Sequence, residues 1–194
     1  MRERDAIAPA SPYASTKAEA ESWVLEWSRR CGIPAMSLRL SNVYGRGAPY
    51  RSCYSSVISV FRGQSLAASP LTICGDGQQT RDFVEVSDVV SAFRLAAESE
   101  FAGLSLNVAS GESVSINDLA RLFECESVHL PARAGECRHS RIDADMIRSV
   151  LGWSPRIRLS AGVKALMAEG DVDGEKLIAC CQLALSPGES SRDG

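Results

Sequence analysis

The sequence predicts an α/β protein built on a parallel sheet, and three observations carry that prediction. Stretches with apolar residues at three- and four-residue steps alternate with short apolar runs of strand length. At the front of the chain a helix, a tight turn and a buried strand follow one another, which is half of a parallel-sheet unit. Too few strands precede the later ones to complete a doubly wound sheet, so the expected sheet is an incomplete one.

The elements follow in order. Behind Tyr13, the residues Ala20, Trp23, Val24, Trp27 and Cys31 mark one helical face, and Gly32 stands where a C-terminal cap belongs. Pro34 and "AMSLRL" come next, a buried strand that ends in "SNVYG". "GRGAPYRSCYSS" reads as loop, and "VISVFRGQSL" as a short helix carrying Val57, Val60 and Phe61. "LTICGDG" gives a strand and turn, and "DFVEV" another strand. A helix from Asp88 places Val89, Ala92, Phe93 and Ala96 on one face, and "LSLNVAS" is a further strand closed by Gly111. "SINDLARLFE" opens with a capping box, Ser115 with Asp118. Helices are expected over about 143–151, ending at Gly152, and from Ser160; the polar "LSPGESSRDG" is expected to fray.

Composition narrows the function classes. The chain has 194 residues, 45% hydrophobic and 23% charged, with a formal net charge of −3. That balance offers no footprint for nucleic acid, and no basic run suggests an anionic membrane. No apolar stretch reaches the ~18 residues of a membrane span, and "MRERDAIAPA" lacks a signal peptide's apolar segment, so a cytoplasmic address is the expectation. Seven scattered cysteines without CxxC spacing read as small buried hydrophobes or spare thiols. His129 and His139 have no metal-ligand neighbours in the sequence, so no metal site is expected.

"SPYASTK" holds the clearest chemistry. Tyr13 and Lys17 are four residues apart on a helix and share a face. A free tyrosine titrates near ~10 and is a weak base at neutral pH, and a cation within a few ångströms favours the phenolate. A general acid/base is one use of that spacing, and a surface lysine beside a half-buried tyrosine is the other.

Five stretches occur in order: "SPYASTKAEAE", "LRLSNVYG", "PLTICGDGQQTRDFVEVSDVVSAF", "LNVASGESVSINDLA" and "PARAGECRHSRIDADMIRSVLGWSP". Together they resemble the C-terminal half of an extended short-chain dehydrogenase/reductase, the nucleotide-sugar epimerase and dehydratase family. The resemblance runs from about residue 9 to residue 168 and looks most like UDP-glucose 4-epimerase. It implies a Rossmann domain lacking its N-terminal βαβ units, with a small α/β substrate-binding domain. By that resemblance residues 1–45 are the residual end of the NAD-binding domain. Residues 46–168 are mainly the nucleotide-sugar domain, with about 83–110 returning to the Rossmann sheet, and 169–194 are a terminal helix and frayed tail.

The resemblance also implies roles. Tyr13 is the catalytic acid/base, and Lys17 tunes it while touching the nicotinamide ribose of NAD; Leu40 lies against the cofactor. Arg81 and Arg133 meet the diphosphate of a UDP-sugar, where a guanidinium fork suits phosphate. Asn42 bonds the diphosphate, Glu136 a ribose hydroxyl, and the strand edge Leu71 to Cys74 lies against the base. Cys74 replaces a frequent aromatic, which weakens stacking. Bland readings stand beside these: Arg81 with Asp82 as a surface ion pair, Asn42 as a turn residue.

The departures matter as much. No Gly-rich GxxGxxG occurs in the 194 residues, nor the acidic residue that holds the adenosine ribose, nor the upstream serine or threonine that bonds the reacting hydroxyl. The expectation is a C-terminal portion of an NAD-dependent epimerase, inactive by itself, whose partner is a second copy of the chain or a separately encoded N-terminal half. The competing expectations are a non-catalytic remnant that binds a nucleotide sugar or a partner subunit, and a fragment of a 4,6-dehydratase or decarboxylase. The helix with Trp23 and Trp27 is the one expected to leave its apolar face uncovered.

Overall fold

The computed structural model describes residues 1–48, 55–133, 135 and 137–169. Helix α1 (Pro12–Cys31) starts because Ser11 is extended and its hydroxyl accepts from the Ala14 N–H, with proline in the first turn. It stops at Gly32, whose φ of 66° is left-handed and costs a residue without a Cβ little. The chain then runs through β1 (Ser37–Leu40), β2 (Asn42–Tyr44), α2 (Val57–Leu66) and β3 (Leu71–Cys74). β4 (Thr80–Arg81), β5 (Phe83–Glu85), α3 (Val86–Glu98) and β6 (Ser105–Val108) follow. Last come β7 (Val114–Ser115), α4 (Ile116–Arg121), β8 (Ser127–Leu130), α5 (Asp145–Leu151) and α6 (Leu159–Ala168).

Three strand pairings are parallel, β1 with β6, β2 with β5 and β3 with β8; β4 and β7 pair antiparallel. The predicted α/β class with parallel pairing is what the chain adopts. The run "SNVYG" is more than the end of a strand: Asn42–Tyr44 forms its own strand against β5. β4, β7 and β8 were not foreseen.

Two cores fill the molecule. One gathers Tyr44, Ile58, Phe61, Leu71, Ile73, Phe83, Leu119, Phe123, Val163 and Leu166 between α2, β3, α4 and α6. Phe61 and Phe123 meet edge to face there, with centroids 5.7 Å apart. The other gathers Val84, Val89, Ala92, Leu106, Val108, Ile147 and Trp153 between α3, β6 and α5. Strand alternation divides them: Tyr44 and Phe83 face the first core, while Val43 and Val84 face the second.

The second core is pinned by Asp88, which is 4% exposed. Its carboxylate accepts from the Arg156 and Ile157 N–H groups, and its carbonyl accepts from the Trp153 indole. The predicted face of α3 needs one correction. Val89 and Ala92 are buried, but Phe93 is 52% exposed. One residue beyond Ala92 on a 100° step, Phe93 turns off the buried stripe. Half of the expected capping box is present: the Ser115 hydroxyl accepts from the Asp118 N–H, while the Asp118 carboxylate accepts from that hydroxyl. No helix among the described residues is long and apolar enough to cross a membrane. The segment 170–194, expected to fray, lies outside the described residues.

Tyr44 is buried with a hydroxyl that has no hydrogen-bond partner. Burial, and then the charges of Glu85 and Asp88, push that phenol's pKa well above its ordinary value. A Cβ at Gly162 would sit 2.1 Å from the Tyr44 oxygen. Gly162→Ala therefore sets a helix-propensity gain of ~1 kcal/mol against an overpacking cost of ~1–3 kcal/mol. The clash wins, so urea melts should show a net loss of stability for Gly162→Ala. Tyr44→Phe should lose nothing by itself and recover part of the Gly162→Ala loss. A Gly162→Ala variant more stable than the parent contradicts this packing.

Candidate functional site

Helix α1 carries the tyrosine and lysine, yet none of its 20 residues is fully buried. What seats it on the sheet is an ion pair. Glu21 and Arg39 meet in a two-pronged contact, Nε to Oε2 at 2.8 Å and Nη2 to Oε1 at 2.6 Å. The two side chains are 13% and 27% exposed, so solvent screens them only partly. The Ser37 hydroxyl donates to the same carboxylate. The Arg39 bonds, opposed by partial burial, hold the Glu21 carboxyl below the usual carboxylate range. Glu21 lies one turn beyond Lys17 on the helix, and Arg39 lies directly before Leu40.

At the helix's start, the Lys17 ammonium lies 5.4 Å from the centre of the Tyr13 ring. The two residues thus meet as the spacing predicts. Tyr13 is 65% exposed. Lys17 and Leu40 border one hollow of about 380 Å³, together with Ala8, Pro9 and Ala14. The two helix tryptophans, Trp23 and Trp27, are 57% and 60% exposed, as the sequence leads one to expect.

Of the other predicted residues, Asn42 lies where strands β1 and β6 end. The Asn42 N–H and its side-chain amide both donate to the Asp82 carbonyl, at 3.1 and 2.8 Å. One of the two amide hydrogens is thereby engaged in the fold. Arg81 is half-buried on β4 and donates to the Thr80 and Cys137 carbonyls. It is not the surface ion pair with Asp82 that the bland reading offered, since the Asp82 carboxylate faces elsewhere. That carboxylate has no solvent exposure and accepts from Ser110 N–H, Ser110 hydroxyl and Gly111 N–H at 2.8–2.9 Å. Burial pushes its pKa up against those bonds.

Leu71 is fully buried in the first core, and its N–H donates to the Glu126 carbonyl on the β8 side. On the edge of β3 away from β8, the Thr72 N–H is taken by the Gln64 side chain and the Cys74 carbonyl by Gln79. Cys74 itself is half-buried. Arg133 is exposed, and Glu136 lies outside the described residues. Among the described residues no cluster of His, Cys, Asp or Glu could hold a metal ion.

Sequence reading missed Glu21, Arg39, Asp82 and Ser110. A signal for the first pair was present: Arg39 interrupts an apolar strand, and Glu21 continues the Tyr13–Lys17 step by four.

The profile of the NAD dependent epimerase/dehydratase family matches residues 1–109. A UDP-glucose 4-epimerase of Mycolicibacterium smegmatis is 34% identical over 164 residues, which are 81% of this chain and 52% of that protein. A dTDP-L-rhamnose 4-epimerase of Burkholderia thailandensis is 32% identical over 165 residues, 81% of this chain and 46% of the relative. The crystal structure of UDP-glucose 4-epimerase with UDP-glucose from Thermotoga maritima superposes with a TM-score of 0.82 at 30% identity. That match covers 87% of this chain and 56% of the other. The chain spans about half the length of the curated relatives it matches.

The Glu21–Arg39 pair makes a pH prediction. Because the folded-state pKa of Glu21 is depressed, its contribution is fully present above the unfolded value near ~4.3. It is lost as pH falls through the folded value. Glu21→Gln should therefore melt earlier than the parent at pH 7, by ~1–3 kcal/mol, with the gap closing as acid is added. Denaturant melts at a series of pH values measure it. A gap that stays constant down to strongly acidic pH removes the ion pair from the account.

Proposed function

Because the chain belongs to the NAD-dependent epimerase/dehydratase family, we propose that it carries the acid/base pair and the diphosphate grip of a nucleotide-sugar epimerase acting at C4 of a UDP-hexose. The observation that carries this reading is the Tyr13–Lys17 contact at 5.4 Å, on a helix tied by Glu21 and Arg39 to the strand that ends beside Asn42. Ligands of open α/β sheets bind outside the carboxyl ends of the strands, which is where Asn42, Asp82 and Ser110 collect. The relative from M. smegmatis and the structure holding UDP-glucose favour uridine as the base and C4 as the reacting carbon.

NAD is the cofactor of the family. In this reading the nicotinamide end with its ribose takes the hollow of about 380 Å³ that Lys17, Leu40, Ala8, Pro9 and Ala14 border. The 194 residues hold no Gly-rich turn for the pyrophosphate. When bound, NAD supplies a reversible acceptor for a carbinol hydride. The chain's own residues then handle the proton. Tyr13 takes it from the C4 hydroxyl as the keto-sugar forms, and returns it to the same oxygen after the sugar has presented its other face. Tyr13 accepts as a phenolate, and the Lys17 ammonium offsets that negative charge before the proton arrives and again once it is returned. Arg81 and Arg133 hold the diphosphate, Asn42 adds its remaining amide hydrogen, and Glu136 bonds the ribose. The β3 strand from Leu71 to Cys74 lies against the base, with its Thr72 N–H and Cys74 carbonyl already engaged by Gln64 and Gln79.

In this reading residues 1–45 and about 83–110 form the cofactor side, and the remainder of 46–168 the sugar side. The two hydrophobic cores follow that division in part: α5 and Trp153 join the second core, while Tyr44 and Phe83 reach into the first. These 194 residues, in this reading, turn nothing over by themselves and require a Gly-rich half from outside them.

Two measurements test the proposal. Calorimetric titration of the chain alone with NAD should detect no binding in the micromolar range. With a Gly-rich N-terminal half of a family member supplied in trans, UDP-glucose and UDP-galactose should interconvert. Tyr13→Phe should then lower turnover ~10²–10⁴-fold while sparing UDP-glucose affinity. Arg81→Ala and Arg133→Ala should weaken affinity first, since each removes a contact present in ground and transition states alike. Turnover by Tyr13→Phe close to the parent's makes the tyrosine structural and defeats the mechanism.

A further inference from the structure

Asp82 is the one carboxylate with no solvent exposure, among the described residues, that no proposed role yet uses. It stands where three chain segments cross. Its carbonyl receives both donors of Asn42, at the step from β1 to β2. Its carboxylate receives three donors from Ser110 and Gly111, in the turn that follows β6. Its peptide neighbours are Arg81, on β4, and Phe83, which opens β5. Side chains alternate along an extended chain, so burial of Asp82 sends Arg81 to the other side, towards the surface.

We propose that Asp82 is the positioning residue of the diphosphate site, fixing the plane of the Asn42 amide and the emergence of Arg81 from one buried point. This rests on the nucleotide-sugar reading above. The reason a carboxylate is needed is geometric. Two backbone N–H groups and a hydroxyl converge on it, and an apolar side chain of similar size would take the shared acceptor from all three of these part-buried donors. An amide in its place would turn an N–H₂ towards one of them. With one Asn42 hydrogen committed to the Asp82 carbonyl, the second has a single direction, and a phosphate oxygen can be met without reordering the side chain. Losing the anchor frees that amide and the strand bearing Arg81, so affinity for the diphosphate drops even where the fold survives.

The test is a double-mutant cycle on UDP-glucose affinity, measured by calorimetry on the 194-residue chain with melting temperatures taken in parallel. Asp82→Asn should bind about tenfold or more weakly than the parent while keeping the parent's circular dichroism. Asn42→Ala should weaken binding too. The double variant should be no weaker than the worse single one, because both changes act on the same contact. An Asp82→Asn variant that folds and binds within about twofold of the parent, or strictly additive losses, overturns the positioning role and leaves the nucleotide-sugar reading intact. If Asp82→Asn does not fold, Ser110→Ala removes one of the three donors to the carboxylate and takes its place in the cycle. Ser110→Ala should then bind about threefold more weakly and couple to Asn42→Ala, and parental affinity there overturns the role equally. A parent chain that binds no UDP-glucose at millimolar concentration overturns the nucleotide-sugar reading itself, and this inference with it.

Discussion

Two strands of three residues, β2 and β5, decide how the rest of the molecule is arranged. They pair in parallel with Asn42 opposite Phe83 and Val43 opposite Val84. Each sends alternate residues to opposite sides, so this narrow ribbon is the wall shared by two separate cores. A slip of one residue would exchange Tyr44 and Phe83 with Val43 and Val84, and neither core could accept the other's volumes. Asp82 guards that register. It sits at the ribbon's entrance, and its hydrogen bonds fix where β5 begins relative to β2 and to the turn after β6. The constraint that separates the cores therefore also places the residues assigned to the diphosphate.

Helix α1, which carries Tyr13 and Lys17, is held differently. α1 offers the sheet no fully buried side chain, and a half-buried pair of opposite charges does the seating. A two-pronged guanidinium–carboxylate contact fixes orientation as well as distance, which greasy packing along a smooth face does less well. Orientation is what a proton-transferring phenol needs, because a small error in its approach to a hydroxyl costs rate steeply. The apolar face around Trp23 and Trp27 plays no part in that seating and remains exposed.

Much of this was legible in the sequence, and the rest was hidden for identifiable reasons. Helix α1, its glycine cap, the cap at Ser115 and the longer strands follow from local pattern, which needs no knowledge of distant residues. β8 was easy to miss because its polar–apolar alternation, Ser127–Leu130, is only four residues long, and all four are exposed. β4 and β7 are two residues each and exist only as a pairing across thirty residues of chain. Phe93 misled because it is as apolar as its buried neighbours. The Tyr13–Lys17 contact was readable, since both lie on one helix. Glu21 with Arg39, and Asp82 with Asn42 and Ser110, are contacts between distant segments; the sequence marks Glu21 and Arg39 singly, by a helical step and an interrupted apolar strand, but carries no sign of either pairing.

The central claim is that one chain presents a proton-transferring tyrosine and a diphosphate grip to the same nucleotide sugar. A crystal structure of the chain grown with UDP-glucose tests it most directly. The account predicts diphosphate density between Arg81 and Arg133, within hydrogen-bond reach of the Asn42 amide, and the hexose running from there towards the Tyr13 hydroxyl. A nucleotide bound elsewhere, or a hexose turned away from Tyr13 with the diphosphate off both arginines, would contradict it.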